Sequence, residues 1–204
     1  MVNPTSNAIL AARKVFLANK GILRTRDAIK QGVHPRTLYE MRDSGELECL
    51  SRGLYRLVET PLVSNADLVT VSHRIPDGVI CLISALSLHD ITTQIPHVVS
   101  VAVKRGSRRP RLDYPPNKIY FYSERAFSEG IQTNTIDNTS VKVYSPEKTL
   151  ADLFKFRDKI GMDTIREAMD MYRSQKKSKP RELLKYAKVC RVEKVMKPYL
   201  EAVL

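Results

Sequence analysis

Side chains that could bind nucleic acid are concentrated near the start of the chain. One short segment contains Arg36, Thr37, Tyr39 and Arg42. An arginine can hold guanine O6 and N7 through two hydrogen bonds, and hydroxyl groups can bond to bases or phosphates. The chemistry that this segment predicts is non-covalent contact with double-stranded DNA.

Three predicted helices must position this segment. Apolar spacing predicts a first helix from about Ser6 to Asn19, and Thr25 is expected to cap a second helix that ends near Lys30. A third helix is expected from Pro35 to Ser44, because proline is favoured at the first position of a helix. The outward face of this third helix would then carry Arg36, Thr37, Tyr39 and Arg42.

The second helix, the third helix and the turn between them have residues typical of a helix-turn-helix. Ala28 is small enough for two helices to touch, and Gly32 can adopt a positive φ in the turn. Leu38 and Met41, spaced i and i+3, would pack beneath the third helix. A generic helical hairpin could share this spacing, so the following residues matter.

A β-hairpin is predicted after the helices. The segment Leu47–Leu57 contains two short runs of strand-forming residues, joined by a turn at Arg52-Gly53. Three helices followed by such a hairpin are the order of a winged helix-turn-helix, with Arg52 at the wing tip. Because winged helices also serve as protein-interaction modules, a purely structural role stays an alternative.

The predicted DNA-binding set combines base-reading and backbone-binding residues. Basic side chains around the second helix would contact phosphates and supply affinity rather than sequence choice. The complete set is Arg24, Arg26, Lys30, Arg36, Thr37, Tyr39, Arg42 and Arg52.

The charge of the whole chain supports an anionic partner. Its 204 residues include 34 Lys and Arg against 22 Asp and Glu, a formal net charge of +12. The first sixty residues carry +4, residues 61 to 146 carry +2, and the remainder carries +6. With 43% hydrophobic residues, a chain disordered throughout is excluded. The excess of positive charge is compatible with nucleic acid, an acidic protein partner, a membrane surface or nothing beyond solubility.

A second basic surface is predicted in a loop between two strands. Phosphate binding and simple solvation are both compatible with such a cluster. Its members are Lys104, Arg105, Arg108, Arg109 and Arg111.

Several classes of site are not expected. Cys49, Cys81 and Cys190 are odd in number and far apart, so they are predicted to be small core residues rather than a disulfide framework. The four histidines lack metal-ligand spacing, and we expect neither a metal nor a cofactor. With no transmembrane run or signal peptide in the sequence, the expected location is the cytoplasm.

An enzyme is not expected either. The sequence has no glycine-rich phosphate loop, no nucleophile elbow, and no acid separated by one residue from a lysine, as in many metal-dependent nucleases. Asp137, Glu147 and Asp152 are conceivable metal ligands. The last two are better explained as first-turn and surface acids of one helix, with Asp152 capping or pairing with Lys155.

The expected fold class is α+β, in two domains. Residues 1–60 form the predicted winged helix-turn-helix. Glu59–Pro61 are expected to link it to the second domain. Residues 61–204 form a mixed α/β domain, with strands between about 98 and 144 and several helices from 146 to 204. Within this domain, the length of the run Val79–Leu88 favours a helix over a strand.

Four motifs together resemble the AbiEi-family antitoxins, transcriptional autoregulators of bacterial type IV toxin-antitoxin systems. In chain order they are SRGLYRL, ISALSLHDITTQIP, VVSVAV and SPEKTLADLF. The resemblance extends from about Leu23 to Met171, and its specificity lies in the order of the motifs. It places a recognition helix on Pro35–Ser44 and a wing on Leu47–Leu57.

The resemblance implies a division of labour. The N-terminal domain would bind inverted repeats in the promoter of its own operon as a repressor. The C-terminal domain would counteract a nucleotidyltransferase-like toxin, without a stable complex being required, in a system that serves phage defence. Two alternatives stay open: a regulator without a toxin, whose C-terminal domain senses a ligand or dimerises, and a nucleic-acid-processing enzyme.

Overall fold

The computed structural model describes residues 6–60, 65–136, 139–175 and 178–201. The predicted linker residue Pro61 and the candidate ligand Asp137 lie outside these ranges. The chain divides into two compact units. The first comprises Met1–Thr70 with Thr135–Thr139, and the second comprises Val71–Asn134 with Ser140–Leu204.

Residues 6–60 of the first unit form three helices and a three-stranded antiparallel sheet. Strand β3 lies between β1 and β2, so the sheet order is β1-β3-β2. In chain order the elements are α1 (Ser6–Ala18), β1 (Ile22–Arg24), α2 (Thr25–Lys30), α3 (Pro35–Asp43), β2 (Leu47–Ser51) and β3 (Leu54–Leu57). Strand β1, between α1 and α2, thus adds a third strand beside the predicted hairpin.

One core holds the first unit together. It contains the fully buried Phe16 from α1, Ala28 from α2, and Leu38 with Met41 from α3. The expectation that Thr25 caps α2 is wrong, because Thr25 is itself the first helical residue. Arg24 occupies the cap position and makes no side-chain capping hydrogen bond.

A five-stranded mixed sheet forms the centre of the second unit, in the order β6-β5-β4-β8-β7. Strand β4 pairs antiparallel with β5 and parallel with β8, while β5 and β6 are parallel. Its elements begin with α4 (Ala66–Arg74), which starts before the unit boundary, and continue with β4 (Val79–Ile80), α5 (Leu82–Leu88), β5 (Val99–Lys104), β6 (Asn117–Tyr122), α6 (Glu124–Ser128), β7 (Ile131–Ile136) and β8 (Thr139–Tyr144).

The predicted single helix at Val79–Leu88 is only partly correct. Val79 and Ile80 pair with β5 as a short strand, which suits their β-branched side chains. Cys81 is extended and precedes the helix α5. The apolar run therefore divides between the sheet and a helix, a distinction that periodicity alone does not make.

Helices complete the second unit after the sheet. They are α7 (Pro146–Lys155), α8 (Arg157–Ile160), α9 (Met162–Ser174), α10 (Pro180–Cys190) and α11 (Glu193–Glu201). Ser145 caps α7, since its side chain accepts a hydrogen bond from the backbone N–H of Lys148 at 3.2 Å. No helix within the described ranges is long and apolar enough to cross a membrane.

Helix α7 contains a buried ionic cluster. Lys148 and Asp152 both have 0% side-chain exposure, and Lys148 Nζ lies 2.5 Å from Asp152 Oδ2. The Cys190 thiol lies 3.1 Å from Asp152 Oδ1, and Lys148 Nζ lies 4.1 Å from the centre of the Tyr144 ring. Burial raises the pKa of the Asp152 carboxyl, against the opposing effect of Lys148.

This cluster corrects the expected surface positions of two acids. Asp152 is not a surface acid paired with Lys155, because α7 is packed against several elements and its central turns are enclosed. Glu147 does lie in the first turn, but it is buried and accepts a hydrogen bond from the Tyr172 hydroxyl at 2.9 Å. Both carboxylates are therefore occupied inside the unit.

The cysteines are distributed differently from the expectation. Cys81 and Cys190 are buried, as predicted, and all three thiols are free. Cys49, in the middle of β2, is exposed. Its prediction as a core residue is wrong.

The loop after α5 is fastened to α9 by a carboxylate. Glu167 Oε1 accepts hydrogen bonds from the Thr93 backbone N–H at 2.6 Å and from the Thr93 hydroxyl at 2.8 Å. These bonds lower the pKa of Glu167. Since the folded pKa lies below the unfolded value, the stabilisation is present at neutral pH and is lost as pH falls through the lowered pKa.

We expect the Thr93 amide to report this titration. In an NMR pH series its shift should change with a midpoint below that of an ordinary glutamate, and Glu167→Gln should remove the transition. A midpoint at or above the ordinary value would contradict the bond pattern.

Candidate nucleic-acid interface

The amino end of α3 is built by the residues that precede it. His34 is extended, and its Nδ1 accepts a hydrogen bond from the Arg36 backbone N–H at 3.2 Å. Pro35 follows at the first helical position, where a missing N–H costs nothing. The turn before them uses Gly32 with φ +87°, a conformation that glycine adopts readily.

Helix α3 presents two cations and one aromatic ring to solvent. Arg36 is exposed and has no ionic partner among the described residues, and Tyr39 is 48% exposed. The Arg42 guanidinium carbon lies 5.2 Å from the centre of the Tyr39 ring, close enough for a cation–π contact. Arg36, Tyr39 and Arg42 are therefore accessible, as the sequence predicted.

Arg42 is nevertheless engaged by its neighbour. Its Nη2 lies 2.7 Å from Asp43 Oδ1, and its Nε donates to the same oxygen at 2.8 Å. This hydrogen bond, together with the charge of Asp43, raises the pKa of the Arg42 guanidinium. Any anion that binds Arg42 must compete with the Asp43 carboxylate. The adjacency of the two residues was the sequence signal for this pair.

The placement of Thr37 among the outward residues is wrong. Its exposure is 4%, and it shares the inward face of α3 with Leu38 and Met41. Thr37 and Met41 are four residues apart, so both point to the same side of the helix. Thr37 cannot reach a base edge without unpacking this face.

Helix α2 carries the residues expected to bind backbone phosphates. Arg26 is 70% exposed and forms a loose pair with Asp27 at 3.4 Å, while Lys30 is exposed at the end of the helix. Arg24 is half-buried at the cap position, so it is less accessible than the other two.

The hairpin β2–β3 places Arg52 at an exposed tip. Gly53 has φ +73° in the turn, and its carbonyl accepts a hydrogen bond from the Thr25 backbone N–H at 3.0 Å. This bond holds the hairpin turn against the start of α2. Arg56, further along β3, is buried and bound to Glu48 at 2.7 Å, so it serves the sheet rather than a ligand.

The second basic surface lies in the second unit. All five predicted cations of this loop are exposed: Lys104, Arg105, Arg108, Arg109 and Arg111. Lys104, at the end of β5, forms an ion pair with Glu124 of α6. The Arg105 backbone N–H donates to the Tyr122 carbonyl at 2.7 Å, which ties the start of the loop to β6.

A cavity beside this loop was not anticipated. Its volume is about 420 Å³, and it is lined in part by residues distant in sequence from the loop, such as Arg74 and Phe127. The basic run signalled one wall, but no local pattern indicated the opposite wall, because α4 and α6 approach the loop only in the folded unit.

Comparison with known proteins gives a family match and a fold match. Residues 11–58 match a family model described as "Transcriptional regulator, AbiEi antitoxin". The resemblance stated from the sequence is confirmed over these residues. No curated protein matches the chain. The crystal structure of the RV2827C protein from Mycobacterium tuberculosis is similar, with a TM-score of 0.64 and 11% identity over 100% of this chain and 82% of that chain. At this identity the likeness concerns the fold alone.

Proposed function

We propose, from the match of residues 11–58 to the AbiEi antitoxin regulators, that the first unit is a winged helix-turn-helix that binds double-stranded operator DNA. The chain would act in the cytoplasm as the antitoxin of a type IV toxin-antitoxin system. It would repress its own promoter at inverted repeats and counteract a nucleotidyltransferase-like toxin through its C-terminal domain. It would need no metal or cofactor and would catalyse no reaction.

The exposed face of α3 carries the DNA-binding proposal. Arg36 and Arg42 lie on the solvent-exposed face of α3, whereas Leu38 and Met41 pack on its buried face. Both arginines can therefore contact DNA without any change in the core. A helix of this size enters the major groove, where arginine reads guanine. Tyr39 lies between them in sequence and can bond to a phosphate.

The remaining cations suit backbone contacts on either side of the groove. Arg26 and Lys30 lie on α2, and Arg52 lies at the hairpin tip, where a wing meets a phosphate or the minor groove. Such contacts add affinity without sequence choice. Arg24 would contribute less, because it is half-buried.

A mobility-shift titration tests operator binding directly. The full chain should shift a duplex containing its own upstream region, and a shuffled duplex of equal length should bind more weakly. Binding should weaken with salt, by about 0.9 in log–log slope for each phosphate neutralised. Equal affinity for both duplexes would contradict a repressor with an operator.

Toxin neutralisation requires a separate test. Co-expression with the adjacent gene product should restore growth, and the full-length Arg36→Ala/Arg42→Ala variant should restore it equally well, because those residues belong to the DNA-binding face of the first unit. Loss of rescue in a soluble double variant would show that neutralisation depends on the DNA-binding face. Absence of any rescue by the wild-type chain would favour a regulator without a toxin.

Metal-dependent cleavage of DNA or RNA by the purified chain would instead establish an enzyme.

A further inference from the structure

The cavity of the second unit combines a charged rim with an apolar floor. Its volume of about 420 Å³ falls within the roughly 300–1,000 Å³ of small-molecule sites. Ile75, Val103 and Phe127 provide apolar lining from three separate parts of the unit. A floor of this kind suits the flat face of a ring rather than a hydrated ion.

The cations of the cavity come from two sides. Arg74 ends α4, whereas Lys104 and Arg108 come from the end of β5 and the basic loop. Asp77 is the acidic residue among those that line the cavity, and Glu124 offsets the charge of Lys104. The balance favours an anion, and Arg108 is the lining cation best placed to gain from one, since it is exposed and has no ionic partner among the described residues.

Ser107 adds a neutral hydrogen-bonding group to the same wall. It precedes Arg108 in the loop, and its backbone N–H donates to the Lys104 carbonyl at 3.1 Å. This bond shapes the loop into a turn at the mouth of the cavity. Its hydroxyl can both donate and accept, and so can orient a polar substituent.

We propose that this cavity binds a small organic phosphate, with a flat apolar ring against Ile75, Val103 and Phe127 and the phosphate at Arg108. A guanidinium matches phosphate geometry with two parallel hydrogen bonds. Nucleoside monophosphates are the simplest probes with both parts. The proposal is independent of the DNA-binding function above, because the site lies within the second unit.

Isothermal titration calorimetry of the full chain tests the site with AMP and GMP as probes. Saturable binding is expected for at least one of them. Adenosine should bind at least about tenfold more weakly, because it lacks the charge-assisted hydrogen bonds of the phosphate. Inorganic phosphate should also bind more weakly, because it leaves the apolar floor empty. Absence of nucleotide binding, or equal binding of inorganic phosphate, would overturn the proposal.

A charge-matched pair of variants separates a built site from general attraction. Arg108→Ala should weaken nucleotide binding by about tenfold or more. Arg109→Ala removes the same charge from the adjacent exposed residue, which does not line the cavity, and should weaken nucleotide binding much less. Equal losses in the two variants would reduce the effect to loop charge and overturn the site. Circular dichroism should be unchanged in both, since both side chains are exposed.

The phosphate could come from a free nucleotide or from the end of a nucleic acid strand. A 5′-phosphorylated single-stranded oligonucleotide and its unphosphorylated twin distinguish these sources. If the phosphorylated strand displaces AMP and the unphosphorylated strand does not, the site binds strand ends. If neither strand displaces AMP, the site binds free nucleotides. Equal displacement by both strands would show general backbone attraction and would contradict the cavity as a specific site.

Discussion

The double variant Arg36→Ala/Arg42→Ala is expected to lose specific operator binding while remaining folded. Both side chains lie on the solvent side of α3, so their removal leaves the core residues Leu38 and Met41 in place. Each bidentate contact to guanine contributes about 1–3 kcal/mol of discrimination, so the pair would account for about 2–6 kcal/mol. A mobility-shift titration against the chain's own promoter region measures this loss.

A control with equal charge isolates base reading from general attraction. Arg166→Ala/Arg181→Ala removes two exposed arginines from the helices of the second unit. This control should retain discrimination between the operator and a shuffled duplex. Unchanged operator affinity in the α3 double variant would refute the proposed interface, and an equal loss in the control would reduce it to net charge.

The Arg42–Asp43 pair gives the interface a second, opposite test. Because Asp43 holds the guanidinium at 2.7 Å, DNA binding must displace a carboxylate that also repels phosphate. Asp43→Asn is therefore expected to strengthen DNA binding, with a larger effect at low salt, where screening is weak. Weaker binding by this variant would indicate that the pair holds Arg42 in its binding orientation.

The variant Lys148→Met should destabilise the second unit by about 3–5 kcal/mol, because it leaves the Asp152 carboxylate without its partner in a fully buried position. Urea unfolding followed by near-ultraviolet circular dichroism measures this, since Tyr122 and Tyr144 surround the cluster. The double variant Lys148→Met/Asp152→Leu removes both charges and should recover most of the loss. No recovery would mean that packing, rather than the lone charge, causes the loss.

The pH dependence of this variant follows from the Asp152 carboxyl. Burial already raises its pKa above the ordinary value of 3.8, and loss of Lys148 removes an effect that lowers it. A raised folded pKa means that the neutral carboxyl stabilises the fold at low pH and that this contribution is lost as pH rises through the folded pKa. The deficit of Lys148→Met relative to the wild type should therefore be smaller near pH 4 than at pH 7. A deficit that is constant with pH would exclude an ionised Asp152 as its cause.

Local patterns predicted much of the first unit because its signals are short-range. Pro35 marks the start of α3, and Gly32 and Gly53 mark turns with positive φ. The spacing of Leu38 and Met41 identified the buried face of α3. These features depend on the backbone preferences of single residues and on neighbours within one helical turn.

The errors at Thr37 and Asp152 fall where burial depends on the packing of distant elements. Thr37 borders the apolar stripe of α3, and only the packing of the other helices and the sheet decides that it lies inside. Asp152 is a second such case, because a carboxylate is ordinarily expected on the surface unless a buried partner is known. Lys148 lies four residues before Asp152 on the same helix, whereas Cys190 comes from α10, and only the packing of the folded unit encloses the three side chains.

The sequence by itself determined the order of the three helices and the following hairpin in the first unit, the exposed cations of α3, and the resemblance, which the family match confirmed over residues 11–58. Those properties are local, or are carried by residue identity. Only the tertiary structure decided which polar residues are enclosed and that a cavity adjoins the basic loop. Enclosure and cavities arise from the packing of elements far apart in the chain, and no window of neighbouring residues contains that information.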